Sequence, residues 1–308
     1  MYFPVSGIEA NPLLLLLAAF CISLLTTPAG VSGAFLLLPF QVSVLGFTSP
    51  AVSPTNLIYN VVATPGGIYR YVIEGLVVGP LAWTGVLGTL PGVFIGAVLR
   101  VTYFSDPRAF KVFVGFVLLY LGARLLYEAL RRLHAATPHP PAEASSGEGI
   151  LRAEGVVRTT SVSARGVEYE YAGRRFSFGT VPVLLLSFVV GIIGGIYSIG
   201  GGSIIAPFFV LIFGLPVYTV AGAALISTFL TSVAGVVFFQ VLDAAGVGGS
   251  AAVAPDWLLG VVLGVGGLAG TYAGARVQKF LPEMWIRTVL GTLVVLLALS
   301  YISQLFTG

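Results

Sequence analysis

The sequence predicts an all-α polytopic membrane protein. Of its 308 residues, 57% are hydrophobic and only 9% are charged, whereas soluble domains carry about 25% charged residues. Apolar runs recur along the chain, and several approach the roughly 20 residues that cross a hydrocarbon core. Lipid offers the backbone no hydrogen bonds, so such runs form helices or barrel strands. Barrel strands alternate apolar and polar residues, and these runs do not, which leaves helices. The runs are Leu13–Leu25, Leu57–Ile68, Leu81–Leu99, Phe113–Tyr127, Val183–Ile196, Ala221–Leu242, Trp257–Ala275 and Thr288–Ile302.

The composition also excludes several classes of function. The net charge of +3 is small and indicates no nucleic-acid partner. The sequence has no HExxH motif, no paired carboxylates and no Cys/His cluster, so we predict neither an enzyme nor a metal site, and no cofactor. No Lys or Arg precedes the first apolar run, which we expect to be retained rather than removed as a signal peptide.

The two halves of the chain resemble each other in sequence, which predicts two homologous repeats. Several glycines and prolines match in order, without a gap from Pro28 to Tyr71 and at a larger offset after that. Such internal repeats are common in secondary transporters. We expect a first transmembrane repeat at residues 1–130, a polar insert at 131–177 and a second transmembrane repeat at 178–308. The matched pairs include Gly33 with Gly201, Pro39 with Pro207, Gly46 with Gly214, Gly67 with Gly235, Gly88 with Gly264, Arg100 with Arg276, Asn60 with Thr228 and Tyr59 with Ser227.

The polar insert predicts a small β-hairpin or three-stranded meander, because Val167-Glu168-Tyr169-Glu170-Tyr171 alternates with period two between turn residues. We interpret the insert as a solvated connector between the two repeats. The alternative is a regulatory or partner-binding patch.

Each repeat begins with two apolar helices that are too short to span, separated by an uncharged break. The breaks are Thr27–Gly33 and Tyr197–Ser203. Loops at the headgroups usually attract charge, so these breaks indicate backbone that turns inside the membrane. Three consecutive glycines cost a helix roughly 1 kcal/mol each, which assigns Gly200, Gly201 and Gly202 to the second break. Other glycines recur every three or four residues and predict close helix packing, namely Gly85, Gly88, Gly92, Gly96, Gly260, Gly264, Gly267, Gly270 and Gly274.

Three spanning helices follow each broken pair. If the broken pair enters and leaves on one side, each repeat crosses the membrane an odd number of times, and the repeats are inverted. If the pair counts as one crossing, the number is even and the repeats are parallel. The arginines of the insert favour a cytoplasmic insert in a plasma-membrane protein, and we therefore predict inverted repeats. The expected spans are Ala51–Arg70, Val77–Val101, Lys111–Leu130, Thr219–Leu242, Trp257–Val277 and Trp285–Gln304.

The motif Ser198-Ile199-Gly200-Gly201-Gly202-Ser203, with Pro207 shortly after it and a long helix that opens at Ala221, resembles the TauE/SafE family of sulfite exporters. Gly33 and Pro39 in the first repeat, and glycine-rich helices that end in Arg100 and Arg276, add to the resemblance. The resemblance covers the chain outside the insert. It implies a transporter of sulfite, organosulfonates or related anions.

The polar groups that the sequence places inside the membrane are side-chain hydroxyls, side-chain amides and the backbone. Ionisable residues such as Arg70, Arg100, Asp243 and Asp256 fall near predicted helix ends and are not expected in the site. A short helix that starts at a Gly/Ser break points free N–H groups at whatever occupies the break, which suits an oxyanion. The predicted substrate-binding residues are Gly30, Ser32, Gly33, Asn56, Asn60, Ser198, Gly200, Gly201, Gly202, Ser203, Ser227 and Thr228.

These observations predict a transporter of a small sulfur-containing anion, exporting it from the cell. Its partners are then the anion and the lipid bilayer. A carrier of a carboxylate or an uncharged solute on the same fold is one alternative, and a membrane sensor that uses the insert is another. The oligomeric state stays open, a homo-oligomer included.

Overall fold

The computed structural model describes residues 1–27, 32–134, 156–163, 165–277 and 283–305, except for the side chains of 131–134, 203, 211, 217–218, 275–277 and 283–287. The described part is mostly helical. The helices are α1 Pro12–Thr26, α2 Ala34–Ser43, α3 Val52–Ala63, α4 Pro65–Ile73, α5 Gly79–Thr102, α6 Pro107–His134, α7 Thr180–Tyr197, α8 Gly201–Phe213, α9 Val217–Ala244, α10 Trp257–Val277 and α11 Glu283–Ile302. The strands are β1 Tyr2–Phe3, β2 Ile8–Glu9, β3 Arg158–Val162, β4 Gly166–Tyr171 and β5 Arg174–Gly179.

Six helices in the described ranges are long and apolar enough to cross a membrane, which confirms the prediction of a multi-pass helical membrane protein. Two further apolar helices, α1 and α2, are shorter and flank the first break. The prediction that both helices beside the second break are too short to span is wrong for α7, whose 18 residues are long and apolar enough to cross a membrane. The six candidate spans are Gly79–Thr102, Pro107–Leu130, Thr180–Tyr197, Thr219–Ala244, Trp257–Gly274 and Thr288–Leu305.

Glycines allow the closest helix contacts, as their spacing predicts. A Cβ on Gly92 of α5 would lie 2.3 Å from the carbonyl oxygen of Phe188 on α7. A Cβ on Gly270 of α10 would lie 2.3 Å from the carbonyl oxygen of Phe20 on α1. Any side chain at these positions would push two backbones apart, because real Cβ atoms do not approach so closely. Gly85 differs, since a Cβ there would make ordinary contact with Ser227 Oγ at 3.7 Å.

The predicted single span Ala51–Arg70 is wrong, since α3 and α4 occupy this region as two helices. Thr64 keeps helical backbone angles, and its N–H donates to Asn60 O at 3.0 Å. Pro65, the first residue of α4, has no N–H to donate, and its ring crowds the carbonyl one turn back. The helix is therefore interrupted at this proline.

The most extensive helix contacts join the first part of the chain to the last. Helix α5 packs along α7, α6 along α11, and α1 along α10, while α3 contacts both α9 and α10. One large cluster of buried apolar side chains draws on both parts of the chain. The hydrophobic core therefore runs through the whole helical assembly.

Strands β3, β4 and β5 form an antiparallel sheet in chain order, which begins within the predicted insert and ends just beyond it, at Gly179. Tyr169 on β4 is buried, and its hydroxyl lies 2.9 Å from Thr219 Oγ1 near the start of α9. Burial raises the pKa of Tyr169 to about 12, although the hydrogen bond to Thr219 opposes this increase. Val157 N donates to Gly75 O, after α4, at 2.9 Å. The sheet is therefore attached to the helices at two points.

Candidate functional site

The second break is a tight turn of Ser198, Ile199 and Gly200 between α7 and α8. Ser198 has a φ of +62° and Gly200 a φ of +76°, and both values are unusual for residues with a side chain. Gly200 is the N-cap of α8, and no side chain caps this end. The first N–H groups of α8 thus lack the usual side-chain acceptor at a helix start.

The assignment of Gly201, Gly202 and Ser203 to the break is wrong, because they form the first turn of α8. The two glycines are required by packing instead. A Cβ on Gly202 would lie 1.9 Å from Ala224 O on α9, and one on Gly201 would lie 2.3 Å from Thr89 Cγ2 on α5. The start of α8 is therefore pressed against two helices. The Ser203 side chain is outside the described residues.

The first break is described at Thr27, Ser32 and Gly33, while the predicted site residue Gly30 lies outside the described residues. Gly33 is the N-cap of α2. A Cβ on Gly33 would lie 2.2 Å from the Tyr59 hydroxyl, which is itself 2.7 Å from Ser23 Oγ. The start of α2 therefore lies directly against the side chain of Tyr59 on α3.

Asn56 on α3 connects the two breaks. Its Nδ2 donates to Ala34 O at the start of α2, at 3.1 Å, and to Ser198 O in the second break, at 2.9 Å. Its Oδ1 accepts a hydrogen bond from Gln41 Nε2 at 3.2 Å. The side chain is fully buried, so both amide hydrogens are already committed to backbone carbonyls.

Asn60, one turn further along α3, repeats this arrangement. Its Nδ2 donates to Ile199 O at 2.7 Å, and its Oδ1 accepts from Ser32 Oγ at 3.3 Å. The Tyr197 hydroxyl adds a third link between the breaks by donating to Phe35 O at 2.6 Å. The structure thus brings together Ser32, Gly33, Asn56, Asn60, Ser198 and Gly200 at one buried junction.

Helix α9 lies on the other side of the second break and presents hydroxyl groups to it. Thr228 Oγ1 would lie 2.3 Å from a Cβ on Gly202, and Ser232 Oγ 2.9 Å from one on Gly200. Ser227 and Ser232 are buried, and within the described residues neither hydroxyl has a hydrogen-bond partner. The Ser227 hydroxyl lies against Gly85 of α5 rather than against the turn itself. Ser232 was not among the predicted residues, although it follows Thr228 by one helical turn and so shares its face.

Charged side chains are absent from both breaks, whose sequences contain only uncharged residues. Within the described ranges, the ion pairs are Arg70–Glu74 and Arg124–Glu128, and no group of His, Cys, Asp and Glu could hold a metal ion. Asp256 is buried and accepts hydrogen bonds from Ser6 and from Leu259 N at the start of α10. Its role there is to cap a helix.

Arg100, in the last turn of α5, is fully buried, which its place near a helix end did not predict. Its Nε donates to Ser53 Oγ on α3 at 3.0 Å, and its Nη1 donates to Phe104 O. The guanidinium carbon lies 3.7 Å from the ring centroid of Phe110. Nη2 has no hydrogen-bond partner among the described residues.

Comparison with known proteins identifies relatives of the chain. The family described as "Sulfite exporter TauE/SafE" matches residues 15–301, nearly the whole chain. A curated relative from Bacillus subtilis (strain 168), "Probable membrane transporter protein YunE", is 29% identical over 130 residues. That match covers 42% of this chain and 39% of the relative, so it spans well under half of either protein. No solved structure matches.

Proposed function

Because the chain belongs to the sulfite exporter TauE/SafE family of membrane transporters, we propose that it carries a small sulfur-containing anion, such as sulfite or a sulfonate. The observation that carries this proposal is the junction at Asn56. One buried amide donates to Ala34 O beside the first break and to Ser198 O in the second. Both breaks therefore border a single uncharged region, where the anion binds.

Backbone and hydroxyl groups supply the donors for this anion. The start of α8 has no side-chain cap, so its first N–H groups and the positive end of its dipole favour an oxyanion. Ser227 and Ser232 add hydroxyls that have no partner in the described part of the chain. The predicted residues Thr228 and Ser203 belong to the same region in this proposal. Binding without a lysine or arginine is weak, which suits a carrier that must release its substrate.

The proposal includes two inverted repeats, at residues 1–130 and 178–308. Helix α3 begins where Ala51 N donates to Ala252 O, and α4 ends where Gly75 O accepts from Val157 N beside the sheet. The corresponding helix α9, Val217–Ala244, has Thr219 near its start beside the sheet and Asp243 near its end. The Asp243 carboxylate accepts from Val253 N, next to Ala252. Opposite directions of matched helices support inversion over the parallel alternative.

Export across the plasma membrane is the proposed direction, with the insert in the cytoplasm. The arginines of the insert support that orientation through the positive-inside rule. A cell interior that is negative drives an anion outward by about 2.3 kcal/mol per charge per 100 mV.

The direct test is flux through purified protein in liposomes. We expect saturable movement of sulfite or a sulfonate, with protein-free liposomes as the control. If no sulfur oxyanion or sulfonate shows saturable flux, the proposal is wrong. A panel of carboxylates and uncharged solutes, compared by the shift that each causes in thermal unfolding, tests a different substrate class on the same fold.

The sensor alternative has its own test. Deletion of residues 138–154 removes most of the connection before the sheet and leaves Tyr169 and its contact with Thr219 in place. Unchanged flux in this variant identifies the deleted segment as a connector. A change in flux would favour a regulatory insert.

A further inference from the structure

We infer that Arg100 is a second binding station for the transported sulfur oxyanion, separate from the junction of the two breaks. This inference rests on the proposed function.

Among the residues that the structure describes, no acidic side chain balances the charge of Arg100. The side chain is fully buried, and within the described ranges no carboxylate lies at ion-pair distance from it. A cation buried without an anion is strongly disfavoured, and in a membrane protein such a residue points to a function by default. A mobile anion supplies the missing charge.

The donors of Arg100 are only partly used. Its contacts are neutral: the hydroxyl of Ser53, the carbonyl of Phe104 and the ring of Phe110. The Nη2 amino group has no partner among the residues that the structure describes. A guanidinium presents parallel N–H groups that match two oxygens of a sulfite or sulfonate. The spare donors are therefore of the kind that this anion requires.

A polar stripe on α3 links Arg100 to the two breaks. Ser53, Asn56 and Asn60 are three and four residues apart, so they lie on one face of the helix. Ser53 contacts Arg100, whereas Asn56 and Asn60 contact the second break. Seven residues of helix rise by about 10 Å. An anion would thus move about one helix diameter along α3 between the two stations.

The segment between α5 and α6 covers this station. Phe104 lies in that segment, and its carbonyl accepts from Nη1, while Phe110 lies in the first turn of α6 and stacks on the guanidinium. An anion that arrives at Arg100 replaces the Phe104 carbonyl as acceptor. The station is therefore closed in this conformation, and binding opens the connection between α5 and α6.

The test compares Arg100→Gln with Arg108→Gln, which removes an exposed arginine from the same region. Sulfite is titrated into each purified protein, and both Kd and the unfolding temperature without sulfite are measured. We expect Arg100→Gln to raise Kd about 10- to 100-fold, the effect of losing hydrogen bonds to a charged group. Its unfolding temperature without sulfite should equal or exceed the wild-type value, since an unbalanced buried charge is gone. Arg108→Gln should match the wild type in both measurements.

A clamp role for Arg100 predicts the opposite pattern, which would overturn the inference: a lower unfolding temperature with an unchanged Kd. If Arg100→Gln does not fold, Arg100→Lys takes its place, because lysine keeps the charge but not the planar fork. Its Kd should rise about tenfold, and an unchanged value overturns the inference as well. Should the wild type show neither sulfite binding nor flux, the proposed function itself is wrong. If the wild type transports sulfite and the Arg100 variants bind it normally, only the second station is refuted and the proposed function stands.

Discussion

Helices α3 and α9 both lie against the breaks, but their polar side chains are used differently. On α3, Asn56 has both amide hydrogens committed to the carbonyls of Ala34 and Ser198, and Asn60 donates to Ile199 O. On α9, the buried hydroxyls of Ser227 and Ser232 have no partner in the described part of the chain. The comparison teaches that the amides of α3 hold the two breaks together, whereas these two hydroxyls of α9 make no hydrogen bond within the described residues.

The chemistry of the two side-chain types explains this difference. An amide has two N–H groups and one carbonyl oxygen, so a single asparagine can bridge two backbone segments. A serine hydroxyl donates once and rotates freely, so it can turn toward a ligand and back. Variants of α3 should therefore reduce stability, whereas variants of α9 should change binding with little effect on stability.

The largest effect is expected from Asn56→Leu, which removes three hydrogen bonds and leaves the carbonyls of Ala34 and Ser198 without this donor. We expect the free energy of unfolding to fall by about 3 kcal/mol, at roughly 1 kcal/mol per bond. Thermal unfolding in detergent measures this loss. Gln41→Leu is the control, because it removes only one of the three bonds. Equal stability of Asn56→Leu and the wild type would refute the bridging role of Asn56.

Gly202→Ala tests the contact of α8 with α9. The new Cβ would lie 1.9 Å from the carbonyl oxygen of Ala224, a backbone atom that cannot rotate away. We expect a loss of about 2 kcal/mol, typical of an overpacked core. Gly79→Ala is the matched control, because a Cβ there meets no atom within 4 Å. A Gly202 variant as stable as the Gly79 variant would contradict the close packing.

Asn60→Leu should affect both stability and binding. An apolar replacement is well tolerated in an apolar medium, but this one removes the hydrogen bonds to Ile199 O and Ser32 Oγ. We expect a loss of about 1–2 kcal/mol in stability and a 10- to 100-fold loss in substrate affinity. Both are measured on one preparation. Lower stability with intact affinity would remove Asn60 from the binding site and leave it as a clamp.

The smallest change in stability is expected for Ser232→Ala. Its hydroxyl has no partner in the described residues, so removing it should leave the unfolding temperature unchanged. Substrate affinity should fall about 2- to 10-fold, the effect of one neutral hydrogen bond. Thr231→Val is the control, since the Thr231 hydroxyl already donates to Ser227 O within α9. Wild-type affinity in Ser232→Ala would show that the hydroxyl does not contact the ligand.

Much of the helical architecture could be predicted, because lipid restricts what an apolar run can form. The turn between α7 and α8 at Ser198 to Gly200 could also be predicted, because the sequence there is rich in Gly and Ser. The prediction puts Gly201 and Gly202 in the break because glycine destabilises a helix. The sequence does not show the close contacts with Ala224 and Thr89 that require glycine at these positions. Pro65 is visible in the sequence, but membrane helices often tolerate proline, so its effect on α3 could not be judged.

The candidate site was harder to predict, because it depends on which neighbours fold over a residue. Arg100 lies near a helix end in the sequence, but Phe104 and Phe110 cover it in the structure. Ser232 is one hydroxyl on a long apolar helix, and Thr231 beside it shows the ordinary use of such a group. Only its closeness to Gly200 distinguishes the Ser232 hydroxyl from that of Thr231.

The interleaved packing of the helices has a consequence for biosynthesis. Helices α1, α5 and α6 make their most extensive contacts with α10, α7 and α11, which leave the ribosome later. The glycine-lined face of α5 must therefore remain exposed to lipid until α7 has been inserted. Domains commonly fold one after another as they are synthesised, but this chain cannot finish its first part alone. Two fragments divided within the insert would have to meet in the bilayer before either one reached its final packing.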